Sequence, residues 1–403
     1  MGSNSAGAKT IILIAVILVS AGAGTLYYVS SSIGKISTIR SSSSQSTVLT
    51  TSTLSQLSLT TTFRSSAPNS SRSSSIPMAN QTAMSATTFS NTVYTSNESV
   101  FTGKHTHRVA GTFSVGNNPY LFAYDPGRNL IYLTEMGGDD LTVINASTNA
   151  IVTTVPVGSW PTGVAFDPAN QEVYVTNSNA SYVSVVNTTT NNVIANVPVE
   201  GNGSQFALYN PFNHNVYVSD YSGASAISVI NGTTNQVIQS INLTGGPLGM
   251  AYDPMNQFVY VVLHYNNSVA VIDSRNDSLL GSIAVGCAPH EIVYDPTNGD
   301  LYVTNQCDGT VSAINGATNL VVATIQIIGE PYGIGYDPIS NEIFVSSTYG
   351  DNNSYIINAT TNTVDDVIPA GAVPDGYVFN PNDGCMYVDA ALTDIVTIIC
   401  LTD

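Results

Sequence analysis

Residues 163–177 read GVAFDPANQEVYVTN, and close variants of this stretch recur through the C-terminal three quarters of the chain. At its centre lies a triplet of an aromatic residue, Asp or Asn, and Pro. The triplet occurs seven times, at Tyr124-Asp125-Pro126, Phe166-Asp167-Pro168, Tyr209-Asn210-Pro211, Tyr252-Asp253-Pro254, Tyr294-Asp295-Pro296, Tyr336-Asp337-Pro338 and Phe379-Asn380-Pro381. Successive Asp or Asn positions are 42 or 43 residues apart. A constant period of this length indicates a repeat architecture.

Each repeat has the pattern of four short strands. In the second repeat, 163–167 is an apolar run, 172–177 alternates apolar and polar side chains, and 182–186 and 193–199 are two further strand-like runs. An Asp-Pro turn follows the first run, and an Asn-rich hairpin at 187–191 precedes the last. Four antiparallel strands in about 42 residues match one propeller blade. The sequence therefore predicts an all-β fold, a seven-bladed β-propeller.

The two ends of the repeat region predict how the ring closes. The last repeat stops at Asp403 after three strands, so its outer strand is missing. Residues 109–115 (VAGTFSV) precede Gly116 as 151–157 precede Gly158. We expect this first strand to complete the seventh blade, because the ring would otherwise have an unpaired edge.

The second strand of the repeats carries a family resemblance. Residues 174–177 and 302–305 both read YVTN, and 132–135 (YLTE) and 217–220 (YVSD) are variants. The region 109–403 resembles the YVTN family of seven-bladed β-propellers, found in archaeal and bacterial surface proteins. For proteins of this kind the resemblance implies a role in cell-envelope structure, adhesion or protein contact.

Charge is scarce and unevenly distributed. The chain has 9 Lys and Arg against 27 Asp and Glu, a net charge of −18. Residues 1–108 hold seven basic groups and one acid, net +6, whereas 109–403 hold only Arg128 and Arg275 against 26 acids, net −24. A region with two cations cannot neutralise a nucleic-acid backbone or adhere to anionic lipid. We expect no nucleic-acid partner, and we hypothesise an exported protein from an acidic environment.

The N-terminal segment 1–34 predicts export. Residues 11–29 form an uncharged, largely apolar span of 19 residues, close to the length that crosses a bilayer. The small residues 21–23 (AGA) leave a cleaved secretory signal open as the alternative. The expected location is the cell membrane, single-pass with the propeller extracellular; the alternative is secretion after signal cleavage.

Residues 35–108 have a different composition. Within 41–75, 22 of 35 residues are Ser or Thr, with little to bury. Such a segment is predicted to be disordered. Beside a membrane, this composition is typical of an O-glycosylated stalk. An unmodified flexible linker is an equally good interpretation.

The four cysteines are predicted to form two disulfides. Antiparallel pairing of 290–295 with 300–305 places Cys287 beside Cys307, and pairing of 385–390 with 395–400 places Cys385 beside Cys400. Both pairs would be cross-strand neighbours within one blade, which suits an oxidising exterior. Four buried free thiols are the alternative.

Asn-x-Ser/Thr sequons number 13. Asn145, Asn187, Asn231 and Asn358 open the hairpins, where Asn side chains bond their own backbone. The predicted glycosylation sites are Asn69, Asn80, Asn97, Asn179, Asn202 and Asn266.

The predicted ligand surface is a ring at the start of the innermost strands, where the repeats differ. The residues five positions before each Asp or Asn are Tyr120, Thr162, Gln205, Leu248, His290, Tyr332 and Asp375, with Glu291 and Trp160 beside them. Polar and aromatic groups around a channel mouth suit ligand binding. The alternative is that they are ordinary loop residues.

Catalytic chemistry is not expected. The propeller region has three histidines, His214, His264 and His290, too few for the copper cluster of nitrous oxide reductase, whose propeller the fold also resembles. His105 and His107 are placed in the linker, and no metal site is predicted. No phosphate loop or nucleophile elbow occurs, and no cofactor is expected.

We therefore expect a membrane-anchored extracellular propeller acting as a binding, adhesion or envelope-associated module for a protein or glycan partner. The alternative, an exported lactonase-like or other hydrolytic enzyme, rests on the resemblance of the fold to bacterial lactonases.

The N-terminus of the mature protein distinguishes a retained membrane anchor from a cleaved secretory signal. Mass spectrometry of the protein isolated from cells should detect peptides that contain Lys9 and the apolar span, because a membrane anchor is retained. A mature chain that begins after Ala23 would show a cleaved signal instead. A chain that begins just after Lys9 would show processing of the pilin type, in which a basic residue also precedes an apolar run.

Overall fold

The computed structural model describes residues 105–222 and 225–402 of this chain. These residues form 28 β-strands and a single 3-10 turn, His264–Asn266. In chain order the strands are β1 (His107–Ser114), β2 (Pro119–Asp125), β3 (Leu130–Glu135), β4 (Asp140–Asn145), β5 (Ala150–Pro156), β6 (Pro161–Asp167), β7 (Glu172–Asn177), β8 (Tyr182–Asn187), β9 (Asn192–Pro198), β10 (Ser204–Asn210), β11 (Asn215–Asp220), β12 (Ala226–Asn231), β13 (Gln236–Asn242), β14 (Pro247–Asp253), β15 (Phe258–Leu263), β16 (Ser268–Asp273), β17 (Ser278–Ala284), β18 (Pro289–Tyr294), β19 (Asp300–Asn305), β20 (Thr310–Asn315), β21 (Leu320–Gln326), β22 (Pro331–Asp337), β23 (Glu342–Ser347), β24 (Asn353–Asn358), β25 (Thr363–Pro369), β26 (Pro374–Asn380), β27 (Cys385–Ala390) and β28 (Ile395–Leu401).

The strands form seven antiparallel sheets of four. Blades 1 to 6 are consecutive meanders, β2–β5, β6–β9, β10–β13, β14–β17, β18–β21 and β22–β25. Blade 7 has the order β26, β27, β28, β1. The predicted seven-bladed propeller is confirmed.

Ring closure also follows the prediction. β1 is the outer strand of blade 7 and pairs antiparallel with β28, from His107 opposite Leu401 to Ser114 opposite Ile395. The strand begins at His107, two residues before the predicted start at 109. The chain thus enters and leaves the ring in the same blade.

Turns between the first two strands of each blade are built by the Asp or Asn of the repeated triplet. Asp167 is fully buried, and its Oδ1 accepts hydrogen bonds from the backbone N–H groups of Ala169 (2.8 Å) and Asn170 (3.3 Å). This is the Asx turn that the repeated Asp-Pro predicts.

An aromatic side chain in the second strand packs between neighbouring blades. In six blades it is a tyrosine, at most 1% exposed, and in blade 6 it is Phe344. Several of the tyrosines donate a hydrogen bond to an Asn in the outer hairpin of the next blade: Tyr260 to Asn319 (2.7 Å), Tyr302 to Asn362 (2.9 Å) and Tyr387 to Asn149 (2.7 Å). The tyrosine side chains therefore join neighbouring blades in two ways. Their rings pack between the blades, and several of their hydroxyl groups make neutral hydrogen bonds to the next blade.

Both predicted disulfides are present. Cys287 bonds Cys307 and Cys385 bonds Cys400, so the described residues contain no free cysteine. Cys385 and Cys400 are direct cross-strand partners in blade 7.

The predicted anchor (1–34) and nearly all of the predicted stalk (35–108) lie outside the described residues. Within the part of the chain that is described, no helix is long and apolar enough to cross a membrane.

Removing the blade 7 disulfide should weaken the ring. Cys385 and Cys400 are 15 residues apart, and a cross-link of that span stabilises a fold by about 3 kcal/mol. We expect Cys385→Ser with Cys400→Ser to lower the free energy of unfolding by that order in urea titrations. The matched control is Cys287→Ser with Cys307→Ser, which removes a disulfide from blade 5, away from the closing blade. An unchanged urea midpoint in the blade 7 variant would contradict a contribution of this bridge.

Candidate binding site at the channel end

The predicted ring residues lie at the start of the inner strands, and several of them meet across the channel. The Tyr120 hydroxyl in blade 1 lies 3.4 Å from the Tyr332 hydroxyl in blade 6. The ring of His290 in blade 5 stacks on Tyr332 with centroids 3.6 Å apart, and it contacts Phe206 of blade 3 edge-on at 5.8 Å. Two of these contacts, Tyr120 with Tyr332 and His290 with Phe206, skip an intervening blade, so the side chains converge on the axis.

These residues are buried rather than exposed at a surface. Tyr120, Leu248, His290 and Asp375 are each about 5% exposed or less, and Tyr332 is half-buried. The side chains of the ring themselves fill the end of the channel.

Thr162 and Gln205 form a second, separate group. The buried Thr162 hydroxyl lies 3.0 Å from the Thr176 hydroxyl and donates to the Ser204 carbonyl at 3.1 Å. The Gln205 amide donates to the Ser178 hydroxyl at 3.2 Å. Their polar atoms have protein partners, which favours a structural role for both residues.

Three carboxyl groups lie close enough to influence one another. Burial raises the pKa of Glu291 to about 8, and the negative charge of Asp375 adds to the rise. Burial also raises the pKa of Asp375, although a hydrogen bond from Thr348 partly opposes it. The pKa of Asp389 is held well above its usual range, by burial first and by Asp375 second. The end of the channel is thus an apolar setting that favours neutral acids.

His290 is uncharged in the same setting. Burial, with a smaller contribution from His264, lowers its pKa to about 3. A neutral imidazole beside neutral acids supplies no ion pair.

Asp389 was not predicted, and its role follows from its counterparts in other blades. At this position of the second strand, Thr134, Thr176 and Thr304 donate to the inner-strand carbonyl of the next blade at 2.7 to 3.0 Å. Asp389 Oδ1 accepts from the Gly376 N–H at 2.6 Å, and its buried Oδ2 has no partner. Only a protonated carboxyl can donate as the threonines do. An alignment of the seven repeats places Asp389 where three other repeats have threonine, so the sequence did contain a signal for this residue.

Two further buried atoms at the channel end have no hydrogen-bond partner among the described residues. They are His290 Nδ1 and Glu291 Oε1, whereas Glu291 Oε2 accepts from the Ile334 N–H of blade 6 at 3.0 Å. Buried polar atoms of this kind are costly and are retained where they serve a purpose. Among the described residues, this cluster contains no activated nucleophile.

An exposed apolar rim surrounds this buried end. Loops before the inner strands pair with loops between the second and third strands, as in the hydrogen bond from Ser178 N–H to the Trp160 carbonyl (2.9 Å). We call the surface formed by these loops the mouth face. Its prominent side chains are Trp160 (45% exposed), Tyr265 (63%), Ile328 (72%), Tyr349 (63%) and Leu392 (73%).

Trp160 is the one predicted ligand residue that is well exposed. Its backbone has a φ of +58°, which is costly for a bulky side chain, and its N–H donates to Asp139 Oδ1 at 2.8 Å. Blade 1 has Asn118 at the equivalent position, with a φ of +56°. Asn tolerates this conformation far better than Trp.

The predicted glycosylation sites divide into two groups. Asn179, Asn202 and Asn266 are exposed on loops. Asn69, Asn80 and Asn97 lie outside the described residues.

No protein family matches the sequence, and no curated protein is similar to it. Many solved structures share the fold. One is a chain of hydrazine synthase from Kuenenia stuttgartiensis, which is 20% identical with a TM-score of 0.64 and matches over 72% of this chain and 98% of that one. At this identity the likeness shows the β-propeller fold alone.

The raised pKa of Glu291 predicts a dependence of stability on pH. The unfolded chain loses this proton near pH 4.5 and the folded chain near pH 8, so stability falls as pH rises through that window. Glu291→Gln stays neutral and should remove this part of the slope. We expect the variant to be more stable than wild type at pH 8, on the order of a few kcal/mol, and similar at pH 4.

Urea titrations followed by circular dichroism at several pH values measure this effect. Glu200→Gln, a change at an exposed carboxylate, serves as the control. Parallel stability curves for wild type and Glu291→Gln would refute a neutral Glu291.

Proposed function

We propose that this chain is a binding module of the cell surface that holds a partner on its mouth face. Residues 1–34 would anchor it in the membrane, and 35–108 would lift the extracellular propeller away from the bilayer. The resemblance to the YVTN surface propellers and the two disulfides support an exported protein. The three exposed sequons are also compatible with an extracellular location.

The observation that carries the proposal is the contrast between the filled channel end and the apolar rim around it. Exposed aromatic and aliphatic side chains project from separate blades onto one face. Tryptophan and tyrosine are enriched among the residues that contribute most to the affinity of protein interfaces. Ile328 and Leu392 favour a protein over a glycan as the partner, because an aliphatic side chain offers a sugar neither a ring face nor a hydrogen bond.

Trp160 is the strongest single pointer to binding. A tryptophan in the left-handed region costs on the order of 1–3 kcal/mol, and Asn118 shows that the loop does not require it. Val373 of blade 7 has the same conformation, with a φ of +59°. Trp160 differs in adding a large ring that is 45% exposed, which favours a function for the side chain outside the fold.

The alternative of an exported hydrolase would use His290, Glu291 and Asp375. In this fold His290 is neutral, the acids are neutral or nearly so, and all three side chains are more than nine-tenths buried. This arrangement favours binding over acid–base catalysis, and we propose that the chain is not an enzyme.

The proposal is tested by Trp160→Asn in the full chain. The variant has the residue of blade 1 at this position, so it should fold with unchanged or higher stability. We expect its binding to isolated cell envelopes of its own organism to fall about tenfold, the order for truncation of an interface tryptophan.

The matched control is Phe212→Asn, which removes an equally exposed aromatic from a turn at the opposite end of the ring, where blade 7 has Asn382. Envelopes treated with protease should lose binding, whereas deglycosylated envelopes should keep it. Equal binding by wild type and Trp160→Asn, or no saturable binding by wild type, would reject the mouth face as the site.

A further inference from the structure

The junction between blades 6 and 7 is built differently from the other junctions. At most other junctions the second-strand tyrosine donates a hydrogen bond to an Asn or Asp in the outer hairpin of the next blade, as Tyr302 does to Asn362 and Tyr217 does to Asp277. Blade 7 has no such hairpin, because its third and fourth strands are the two ends of the propeller chain. Blade 6 has Phe344 instead of tyrosine, and the ring of His107 packs edge-on against it at 5.5 Å.

Two histidines take the place of the missing hairpin. His105 and His107 are two residues apart in extended chain, which places both side chains on one side. His105 Nδ1 lies 3.1 Å from Oε1 of Glu342 in β23, and His107 Nε2 lies 3.1 Å from Oε2 of the same carboxylate. The prediction that these histidines belong to the linker was wrong for His107, which is a β1 residue, and both contact blade 6.

A second carboxylate lies on the other side of the His107 ring. Asp366 Oδ2, on the outer strand β25, lies 3.5 Å from His107 Nδ1 and accepts a hydrogen bond from the His107 backbone N–H at 2.7 Å. A histidine with one nitrogen toward a shared site and the other toward a carboxylate has the arrangement typical of metal-binding histidines.

The hydrogen bonding of this cluster is incomplete despite the short distances. The side chains of His107 and Glu342 are at most 1% exposed. Even so, His107 Nδ1, His107 Nε2 and Glu342 Oε2 make no hydrogen bond among the described residues. A cation between His107 Nε2 and Glu342 Oε2 would satisfy both of these buried atoms, whereas His107 Nδ1 faces Asp366 on the other side of the ring.

We propose that His105, His107 and Glu342 bind a divalent transition-metal ion, for which zinc is the best match, and that Asp366 positions His107. Two imidazoles and one carboxylate are a common zinc ligand set. The ion would tie the first strand of the propeller to blade 6 at the point where the chain enters the ring.

The site closes through a movement of His105. Among the described residues, only Cys287, Cys307 and Asp308 bring three candidate ligand atoms within 4.8 Å of one another, and those two sulfurs form a disulfide. The side chain of His107 is buried, whereas that of His105 is 24% exposed. His105 therefore has room to rotate toward Glu342 and the ion.

The test uses the full chain after chelator treatment, titrated with Zn²⁺ by calorimetry at pH 7. We expect one ion per chain and a rise in the melting temperature that EDTA reverses. Because His107→Ala removes a buried side chain, His105→Ala and Asp366→Asn are the informative variants. His105→Ala should abolish stoichiometric binding, and Asp366→Asn should weaken it about 10- to 100-fold.

His214→Ala is the control, because it removes an exposed histidine of another blade. X-ray absorption of the zinc-loaded chain should show imidazole ligands and no sulfur. Absence of stoichiometric binding, or binding that His105→Ala leaves unchanged, would overturn the proposal. A melting temperature that varies with pH but not with Zn²⁺ would also overturn it, and would assign the cluster to His–carboxylate ion pairs.

Discussion

The ring closes through the pairing of β1 with β28. A ring of seven sheets has stable neighbours everywhere only if the two chain ends meet, since each open end would leave an unpaired edge. Segments almost 300 residues apart in the sequence must therefore find each other. Reinforcement is concentrated in this region: the Cys385–Cys400 disulfide lies in the closing blade, and His105 and His107 contact the blade before it.

Many of the contacts between blades are apolar packing or hydrogen bonds between uncharged groups, which explains why so few charges suffice. Tyrosine hydroxyls reach asparagine side chains, and threonine hydroxyls reach backbone carbonyls of the next blade. Where an acid replaces a threonine, as at Asp389, burial raises its pKa and favours the neutral form. A framework of this kind gains little from ion pairs and loses little when carboxylates become protonated, so it suits the acidic environment that we hypothesise.

The mouth face combines a filled channel with an exposed apolar rim. Side chains in the channel converge from blades 1, 5 and 6 and fill the axis, so the exposed rim is where a large partner can make contact. The rim residues lie on loops held by backbone pairing, as Trp160 is with Ser178, and a rigid support of this kind lowers the entropic cost of binding.

The amino-acid sequence is enough to predict the period, the four-strand meander, the closing strand and both disulfides. These features depend on spacing along the chain and on the register of neighbouring strands, which a constant repeat makes readable. It did not determine that Tyr120, His290 and Tyr332 meet and are buried, that Asp389 belongs with Glu291 and Asp375, or that His107 faces Glu342. Those contacts join different blades, often residues more than 200 positions apart, and only closure of the ring brings them together. Burial and pKa depend on the groups packed on every side, and the order of residues along the chain does not reveal which groups those are.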